Sequence, residues 1–137
     1  MTVVEASAAL AWLLPYEASA DVERLLSESR RDGLCAPAIF ALETANGLGA
    51  KIRQRLITAE FRDLALDRLD ELGIELDVQA WPLGRLRSVV ALSDRHRLTV
   101  HDASYLELAV RLDVAIATLD RDLAAAATAE GLEVLTT

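Results

Sequence analysis

The sequence predicts an α/β domain with a mostly parallel central sheet. Short apolar segments alternate with longer segments of helical periodicity, and this alternation is typical of a parallel sheet covered by helices. The chain has 137 residues, of which 53% are hydrophobic and 26% charged, a composition typical of a compact globular protein. We therefore expect residues 1–137 to form a single domain. The predicted strands span residues 2–5, 34–36, 74–77, 114–119 and 132–135.

Proline, glycine and capping residues set the boundaries of the predicted helices. Pro15 should end the first helix, Thr58 should cap the fourth, and Gly73 should end it. Pro37 is expected to be the first residue of the third helix. That helix is apolar almost all round, which predicts burial in the core. The predicted helices span residues 6–14, 17–31, 37–53, 59–72, 82–96, 100–112 and 120–130.

The charge balance limits the classes of function. A formal net charge of -8 and a pI near 4.7 argue against a protein that binds nucleic acid through a broad basic surface. Local positive charge remains on predicted helices and their ends, where it would serve RNA, an acidic segment of a partner, or solvation alone. The residues concerned are Lys51, Arg53, Arg55, Arg85, Arg87, Arg95 and Arg97.

The sequence argues against a signal peptide, a membrane span and a redox-active cysteine. The apolar stretch near the N-terminus is preceded by Glu5 and by no Lys or Arg, which argues against a signal peptide. No apolar run approaches the length of a membrane span, so we expect a soluble, intracellular protein. The one cysteine, Cys35, has no metal-binding or redox spacing and is expected to be a small core residue.

Four acidic residues lie inside or at the end of apolar segments, where a lone carboxylate is costly to bury. They are Glu5, Glu43, Asp102 and Asp120. Helix capping by Asp120, less readily by Glu5, and buried ion pairs are the structural alternatives. Other charged residues need no special explanation. Glu107 and Arg111 are four residues apart on one predicted helix, a spacing that allows an ion pair. His96 and His101 are expected to be structural or surface groups. His101 adjoins Asp102 and is also a weak candidate for a base.

A parallel sheet would gather these four carboxylates at the carboxyl ends of its strands, where ligand sites of such folds lie. Mutual repulsion would make the cluster unstable without a cation. Oxygen ligands without Cys or a His pair favour Mg²⁺ or Mn²⁺, which commonly serve phosphate chemistry. Sequence motifs for a phosphate-binding loop, a dinucleotide fold, a zinc protease or an EF-hand are absent.

Four segments in order, VVEASAALAWLLP, APAIFALETANGL, LTVHDASYLELAVRL and IATLDRDLAAAA, resemble the PIN domain and specifically VapC-type toxins. The resemblance covers nearly the whole chain. It implies a PIN-like α/β/α sandwich and a Mg²⁺- or Mn²⁺-dependent endoribonuclease whose acidic quartet is Glu5, Glu43, Asp102 and Asp120. It further implies supporting roles for polar residues near the metal (Ser7, Thr118 and Asp122) and Asn46 as an organiser of Glu43.

The same resemblance implies the reaction and the partners. Water would attack an RNA phosphodiester in line, a VapB-type antitoxin would cover the active site, and the protein would be a cytoplasmic homodimer forming a heterotetramer or larger assembly with the antitoxin. One residue departs from the family pattern, because the first-strand acid is typically aspartate and is Glu5 here. The extra methylene predicts weakened metal binding and cleavage. There are two alternatives. One is a catalytically weak or inactive PIN-fold protein that acts by binding its antitoxin partner, and the other is a housekeeping RNA-processing PIN nuclease.

Overall fold

The structure is a computed structural model that describes residues 1–77 and 83–137, and Leu83 by its backbone alone. Within these residues, five strands form one sheet in the order β3-β2-β1-β4-β5, and all four pairings are parallel. A strand is found in each predicted segment, although those at 115–117 and 134–135 are shorter than the predicted 114–119 and 132–135. The predicted mostly parallel sheet is parallel throughout its described strands. The strands are β1 (Thr2–Val4), β2 (Leu34–Pro37), β3 (Glu75–Asp77), β4 (Ala115–Ala117) and β5 (Val134–Leu135).

Helices follow the strands, and their ends agree closely with the capping residues in the sequence. Thr58 accepts a hydrogen bond from the Phe61 amide at 3.1 Å, and Gly73 adopts a φ of +63° after the helix that Thr58 begins. A short 3₁₀ turn occupies Pro15–Glu17. The predicted helical start at Pro82 lies outside the described residues. The helices are α1 (Ala6–Leu13), α2 (Ala20–Ser29), α3 (Ile39–Arg53), α4 (Ala59–Glu71), α5 (Leu83–His96), α6 (Val100–Leu112) and α7 (Arg121–Ala129).

The core lies between the central strands and α6. Val3 and Val4 of β1 are fully buried, and α6 is buried along nearly its whole middle, from Ala103 to Ala109. Burial on both faces explains why β1 and β4 are continuous apolar runs without the alternation of a half-exposed strand. Cys35 lies in the same core, as expected, and burial raises the pKa of its thiol to about 11. None of the described helices is long and apolar enough to cross a membrane.

Two sequence predictions about the β2 and α3 region are wrong. Pro37 is the last residue of β2, paired with Asp77, and α3 begins only at Ile39. The fixed φ of proline suits an extended strand end as well as a first helical turn, so pairing with β3 decides between the two. The predicted complete burial of α3 also fails, because only Phe40, Thr44 and Leu48 are buried, while Leu42 is 73% exposed.

The second predicted helix also starts later than expected. It begins at Ala20 instead of residue 17, because the Ser19 hydroxyl accepts a hydrogen bond from the Val22 amide at 3.1 Å and caps it there. Pro15 ends α1 as predicted, although the chain continues into the 3₁₀ turn before α2 begins. The physical reason is that a hydroxyl in the N-cap position satisfies an amide that glutamate at residue 17 would leave free.

A close contact between α1 and α3 depends on a glycine. A Cβ placed on Gly47 would lie 2.6 Å from Cδ1 of Leu10, so a side chain there would displace Leu10. Gly49, two residues further along α3, has only the flexible end of Arg53 near it, at 3.5 Å. The two glycines therefore differ in what they do: Gly47 allows the helices to approach, and Gly49 only weakens the helix.

We predict that Gly49→Ala stabilises the protein, because alanine in a helix interior is favoured over glycine by roughly 0.5–1 kcal/mol. Gly47→Ala should be less stable than Gly49→Ala by about 1 kcal/mol or more, since overpacking against Leu10 offsets the same gain. Urea unfolding of both variants and the parent measures the difference. Equal stabilisation by the two substitutions would show that α1 and α3 do not depend on the glycine.

Candidate active site

The carboxyl ends of β1 and β4 meet at the centre of the sheet. Val4 pairs with Ala117, and the Glu5 amide donates a hydrogen bond to the Ala117 carbonyl at 2.9 Å. The residues that follow the two strands are thereby neighbours, although more than a hundred positions separate Glu5 from Thr118 in the chain. This is the edge at which ligands bind in parallel α/β sheets.

Glu5 occupies the N-cap position of α1 but does not cap the helix with its side chain. The residue is only 6% exposed, and its carboxylate accepts hydrogen bonds from the hydroxyls of Ser7 and Thr118, the latter at 2.8 Å. Burial raises the pKa of Glu5, the two hydroxyls oppose this shift, and the charge of Asp102 adds to it. The sequence alternative in which Glu5 caps the first helix is therefore wrong.

Ser7 and Thr118 are also tied to the backbone that leads into α7. The Leu119 amide donates to Ser7 Oγ at 2.9 Å, and the Asp120 amide donates to Thr118 Oγ1 at 3.0 Å. Each hydroxyl therefore accepts from the chain after β4 and donates to Glu5. This network fixes the Glu5 carboxylate against the start of the last helix.

Asp102 lies in the first turn of α6 and interacts electrostatically with the rest of the quartet. Burial raises its pKa, and the charges of Asp120 and Glu43 raise it further, while the Thr99 hydroxyl and His101 act in the opposite direction. Thr99 caps α6 through the Asp102 amide at 3.1 Å. Because the charge of Asp102 also raises the pKa of Glu5, Asp102 is the acid whose charge interacts with those of the other three.

Glu43 projects from α3 toward α6 and accepts a hydrogen bond on Oε1 from the hydroxyl of Tyr105 at 2.5 Å. Tyr105 is completely buried, and its pKa is raised by burial and by the charges of Glu43 and Glu5. The sequence prediction missed this residue, because an aromatic on an apolar helix stripe is most simply interpreted as core. Its position three residues after Asp102, on the same helix face, was the available signal.

Asp120 caps α7, since its Oδ1 accepts a hydrogen bond from the Leu123 amide at 2.8 Å. The capping role considered from the sequence is thus confirmed, while Oδ2 accepts no hydrogen bond from the described residues. Asp122 is exposed in the first turn of α7, and Asn46 is exposed on α3. In the described part of the chain neither forms a hydrogen bond with the quartet, and Tyr105 holds the place expected for Asn46 as the partner of Glu43.

The quartet has no cationic side chain paired with it in residues 1–77 and 83–137. The ion pairs there are Arg24–Asp21, Arg95–Glu130, His96–Glu130, Arg111–Asp77 and Arg111–Glu107. In the same ranges no three Asp, Glu, His or Cys side chains converge closely enough to hold a metal ion as they stand. The charges of Glu43 and Asp120 raise the pKa of Asp102, and the charge of Asp102 raises the pKa of Glu5. The donor atoms of all four acids are oxygen, which is the chemistry of a hard divalent cation.

In the described part of the chain, none of the basic residues singled out from the sequence pairs with the quartet. Arg53 is about 15 Å from Glu43 along the axis of α3, at a rise of ~1.5 Å per residue. Arg85 has a buried Nη1 without a hydrogen-bond partner among the described residues, and Arg95 pairs with Glu130 at 2.7 Å. The other basic residues of that set are partly or fully exposed: Lys51, Arg55, Arg87 and Arg97.

The charged residues treated as structural from the sequence do form structural contacts. Glu107 pairs with Arg111 at 2.8 Å, and Arg111 extends the pair to Asp77 at the end of β3. His96 lies 2.7 Å from Glu130 and links α5 to α7, whereas His101 is exposed. These ion pairs connect outer elements of the fold, and none of them includes an acid of the quartet.

Comparison with known proteins identifies the family. The profile of the PIN domain matches residues 2–129. The chain belongs to the PIN domain family. Ribonuclease VapC3 of Pyrobaculum aerophilum is 34% identical to this PIN protein over 122 residues, which make up 89% of this chain and 91% of that protein. The predicted resemblance to PIN domains and to VapC-type proteins is thereby confirmed.

Two solved structures share the fold. The crystal structure of PAE2754 from Pyrobaculum aerophilum superposes with a TM-score of 0.68 at 23% identity, over 98% of this chain and 90% of that one. FitAcB from Neisseria gonorrhoeae gives a TM-score of 0.67 at 16% identity, with 98% and 96% covered. At these identities the likeness shows the fold alone, and it confirms the predicted PIN-like α/β/α architecture.

We predict that Thr118→Val destabilises the protein by about 1–3 kcal/mol at neutral pH, because a buried carboxylate loses a hydroxyl donor. Thr118 lowers the pKa of Glu5, so its removal raises the folded-state pKa further above the unfolded value. A group whose pKa is raised on folding contributes stability at low pH that is lost as pH rises. The decrease in the free energy of unfolding caused by Thr118→Val should therefore be larger at pH 8 than at pH 4.

Thr128→Val is the matched control, because the Thr128 hydroxyl bonds the Ala124 carbonyl on the exposed side of α7 and touches no carboxylate. Chemical unfolding from pH 4 to pH 8 measures both variants. A pH-independent cost for Thr118→Val would mean that its hydroxyl does not stabilise the charged form of Glu5.

Proposed function

We propose that this PIN protein is a metal-dependent endoribonuclease that acts as the toxin of a type II toxin–antitoxin pair, with residues 1–137 as its catalytic domain. The observation that carries the proposal is the quartet itself. The charges of Glu43 and Asp120 raise the pKa of Asp102, and the charge of Asp102 raises the pKa of Glu5. No described cationic side chain pairs with any of the four acids. The identity with a VapC ribonuclease supports the same reaction.

The donor set fits Mg²⁺ or Mn²⁺. Burial and neighbouring carboxylates raise the pKa of both Glu5 and Asp102. No ion pair among the described residues supplies a counter-charge to the four acids. Glu5, Glu43, Asp102 and Asp120 would hold the cation between them. When bound, it would supply the Lewis acidity that phosphodiester hydrolysis needs, by activating water and neutralising charge on the phosphate.

The surrounding residues of the chain orient the acids. Ser7 and Thr118 hold one oxygen of Glu5, and the Leu123 amide holds Oδ1 of Asp120. Oδ2 of Asp120 accepts no hydrogen bond from the described residues, so it remains available at the edge of the sheet. Asp102 lies in the first turn of α6 and Asp120 caps α7. The partial positive charge of helix N-termini favours an anionic RNA backbone.

Partners and location follow from the family resemblance as further parts of the proposal. We propose a VapB-type antitoxin, a homodimer that forms a heterotetramer or larger assembly with it, and a cytoplasmic protein. Large apolar side chains are exposed at Leu42, Leu64, Leu86 and Val90, and such surfaces suit protein contacts. A PIN protein that only binds its partner is the second candidate. The observation that favours it is that Glu5 stands where the first-strand acid of the family is typically aspartate.

Basic residues outside the quartet would supply the electrostatic part of RNA binding. Lys51, Arg53, Arg55 and Arg87 carry no ion pair within the described residues. If they contact phosphates, the logarithm of the RNA affinity should fall linearly with the logarithm of the salt concentration, with a slope that grows with the number of contacts. A weak slope would assign them to solvation or to an acidic partner.

We predict that Asp102→Asn lowers Mg²⁺- or Mn²⁺-dependent RNA cleavage by about 100-fold or more. The substitution removes the acid whose charge interacts with those of the other three carboxylates. The metal-free variant should be at least as stable as the parent at pH 8. The pKa of Asp102 is raised in the folded state, so its ionisation costs stability as pH rises, and this cost disappears toward pH 4. RNA cleavage assays and melting curves in chelator from pH 4 to pH 8 measure the two effects.

Asp67→Asn is the control, because Asp67 is an exposed carboxylate of α4. This substitution should change neither the rate of RNA cleavage nor the stability of the protein. Altered stability with full metal-dependent cleavage in Asp102→Asn would mean that the quartet is structural. Absence of cleavage in the parent with Mn²⁺, together with antitoxin binding, would favour the binding-only candidate.

We predict that Glu5→Asp increases metal-dependent cleavage. Glutamate places its carboxylate one methylene further from β1 than aspartate, and a misplacement of about 1 Å can cost on the order of 100-fold in rate. An increase of roughly 10- to 100-fold over the parent is therefore expected. Steady-state cleavage of a labelled RNA in Mg²⁺ and in Mn²⁺ measures it.

Glu133→Asp removes the same methylene from an exposed residue before β5 and is expected to leave the rate unchanged. If Glu5→Asp cleaves no faster than the parent, the interpretation of Glu5 as a displaced ligand is wrong, whatever the activity of the quartet as a whole.

A further inference from the structure

Among the described residues, no group of its own helix donates a hydrogen bond to the carboxylate of Glu43. Glu43 lies on the partly exposed side of α3, and a glutamate side chain has three rotatable bonds whose ordering costs up to ~2 kcal/mol. Within the described residues its carboxylate accepts one hydrogen bond, on Oε1 from Tyr105 at 2.5 Å, and Oε2 accepts none. The direction of Glu43 therefore depends on a residue from another helix.

Tyr105 is a rigid donor for this bond. It is completely buried, and it belongs to the core cluster formed by β1, α6 and β4. Its ring cannot move without disturbing packed neighbours, so its hydroxyl occupies a fixed point at the edge of the sheet. Tyr105 also follows Asp102 by three residues on α6, which puts both side chains on one helix face.

We propose that Tyr105 is a positioning residue for Glu43. Its buried hydroxyl holds Oε1 and thereby turns Oε2 toward the carboxylates of Asp102 and Glu5, where a divalent cation would bind. The inference deepens the proposed function and rests on it. One helix would then supply an acid of the site, Asp102, and aim a second acid carried by α3.

The direction of the hydrogen bond agrees with this geometry. The Tyr105 hydroxyl donates, and Oε1 of Glu43 accepts. A neutral donor orients the ligand without removing its charge, as partners of metal ligands commonly do.

A purely structural role would give the same contact, because a buried tyrosine hydroxyl needs an acceptor. The two roles differ in what the loss of the hydroxyl changes. A structural bond affects unfolding, whereas a positioning bond also affects the affinity for a cation through Glu43. Metal affinity measured on the folded protein therefore separates them, and it does not depend on turnover.

The test compares Tyr105→Phe with the parent by calorimetric titration of Mn²⁺ and by RNA cleavage. Phenylalanine keeps the ring in the core and removes only the donor. We expect Mn²⁺ to bind about 10- to 100-fold more weakly and cleavage to fall with it, the range found for partners of metal ligands. Tyr16→Phe, at an exposed tyrosine in the 3₁₀ turn, is the matched control and should bind Mn²⁺ as the parent does.

Coupling to Glu43 is measured by a double-mutant cycle. Glu43→Ala should weaken Mn²⁺ binding, and adding Tyr105→Phe to it should cause no further loss, because the tyrosine acts only through that carboxylate. Losses that multiply in the double variant would overturn the proposal. Glu43→Asp provides a second route if Tyr105→Phe does not fold: it keeps the charge but moves the carboxylate away from the hydroxyl, and parental Mn²⁺ affinity in it would also overturn the proposal.

The outcomes separate the positioning role from the function itself. If the parent neither binds Mn²⁺ nor cleaves RNA, the proposed function fails, and the positioning role fails with it. If the parent binds and cleaves while Tyr105→Phe matches it in Mn²⁺ affinity, only the positioning role is wrong.

Discussion

Uncompensated negative charge at the carboxyl edge of the sheet is the constraint on which the rest of the site depends. Parallel pairing of β1 with β4 fixes Glu5 beside Thr118, and Asp102 enters the same space from α6. A fold that buries carboxylates together must pair them, hydrogen-bond them or leave them for a cation. This chain uses hydroxyl groups for Glu5 and a backbone amide for Asp120, which orient the charges without neutralising them.

Helix α6 joins the stability of the fold to the geometry of the site. Its buried stretch, Ala103 to Ala109, packs over β1 and β4 and forms much of the core. Asp102 stands at the start of that stretch and Tyr105 within it, so the packing that stabilises the sheet also determines where both point. Such rigid support is what a catalytic constellation requires, because supporting residues that can shift leave the reactive groups loosely placed.

Local patterns in the sequence were enough to predict the alternation of strands and helices, and they single out the four acids as candidates. The apolar segments that lead to Glu5 and Asp120 are short, and a charge at the end of such a segment is conspicuous. Long-range contacts were not available to the same reasoning. Pro37 fits a helix start or a strand end equally well until β3 pairs with it, and the Tyr105–Glu43 bond joins residues from two helices whose packing no local pattern encodes.

The α1–α3 contact at Gly47 has a consequence for chemistry as well as for packing. Glu5 directly precedes α1, and Glu43 lies one turn before Gly47 on α3. The separation of α1 and α3 therefore contributes to the separation of Glu5 and Glu43. A glycine at residue 47 lets the helices approach to the limit that Leu10 allows. Substitutions at uncharged positions in the seam between α1 and α3 would in this way shift two acids of the quartet relative to each other.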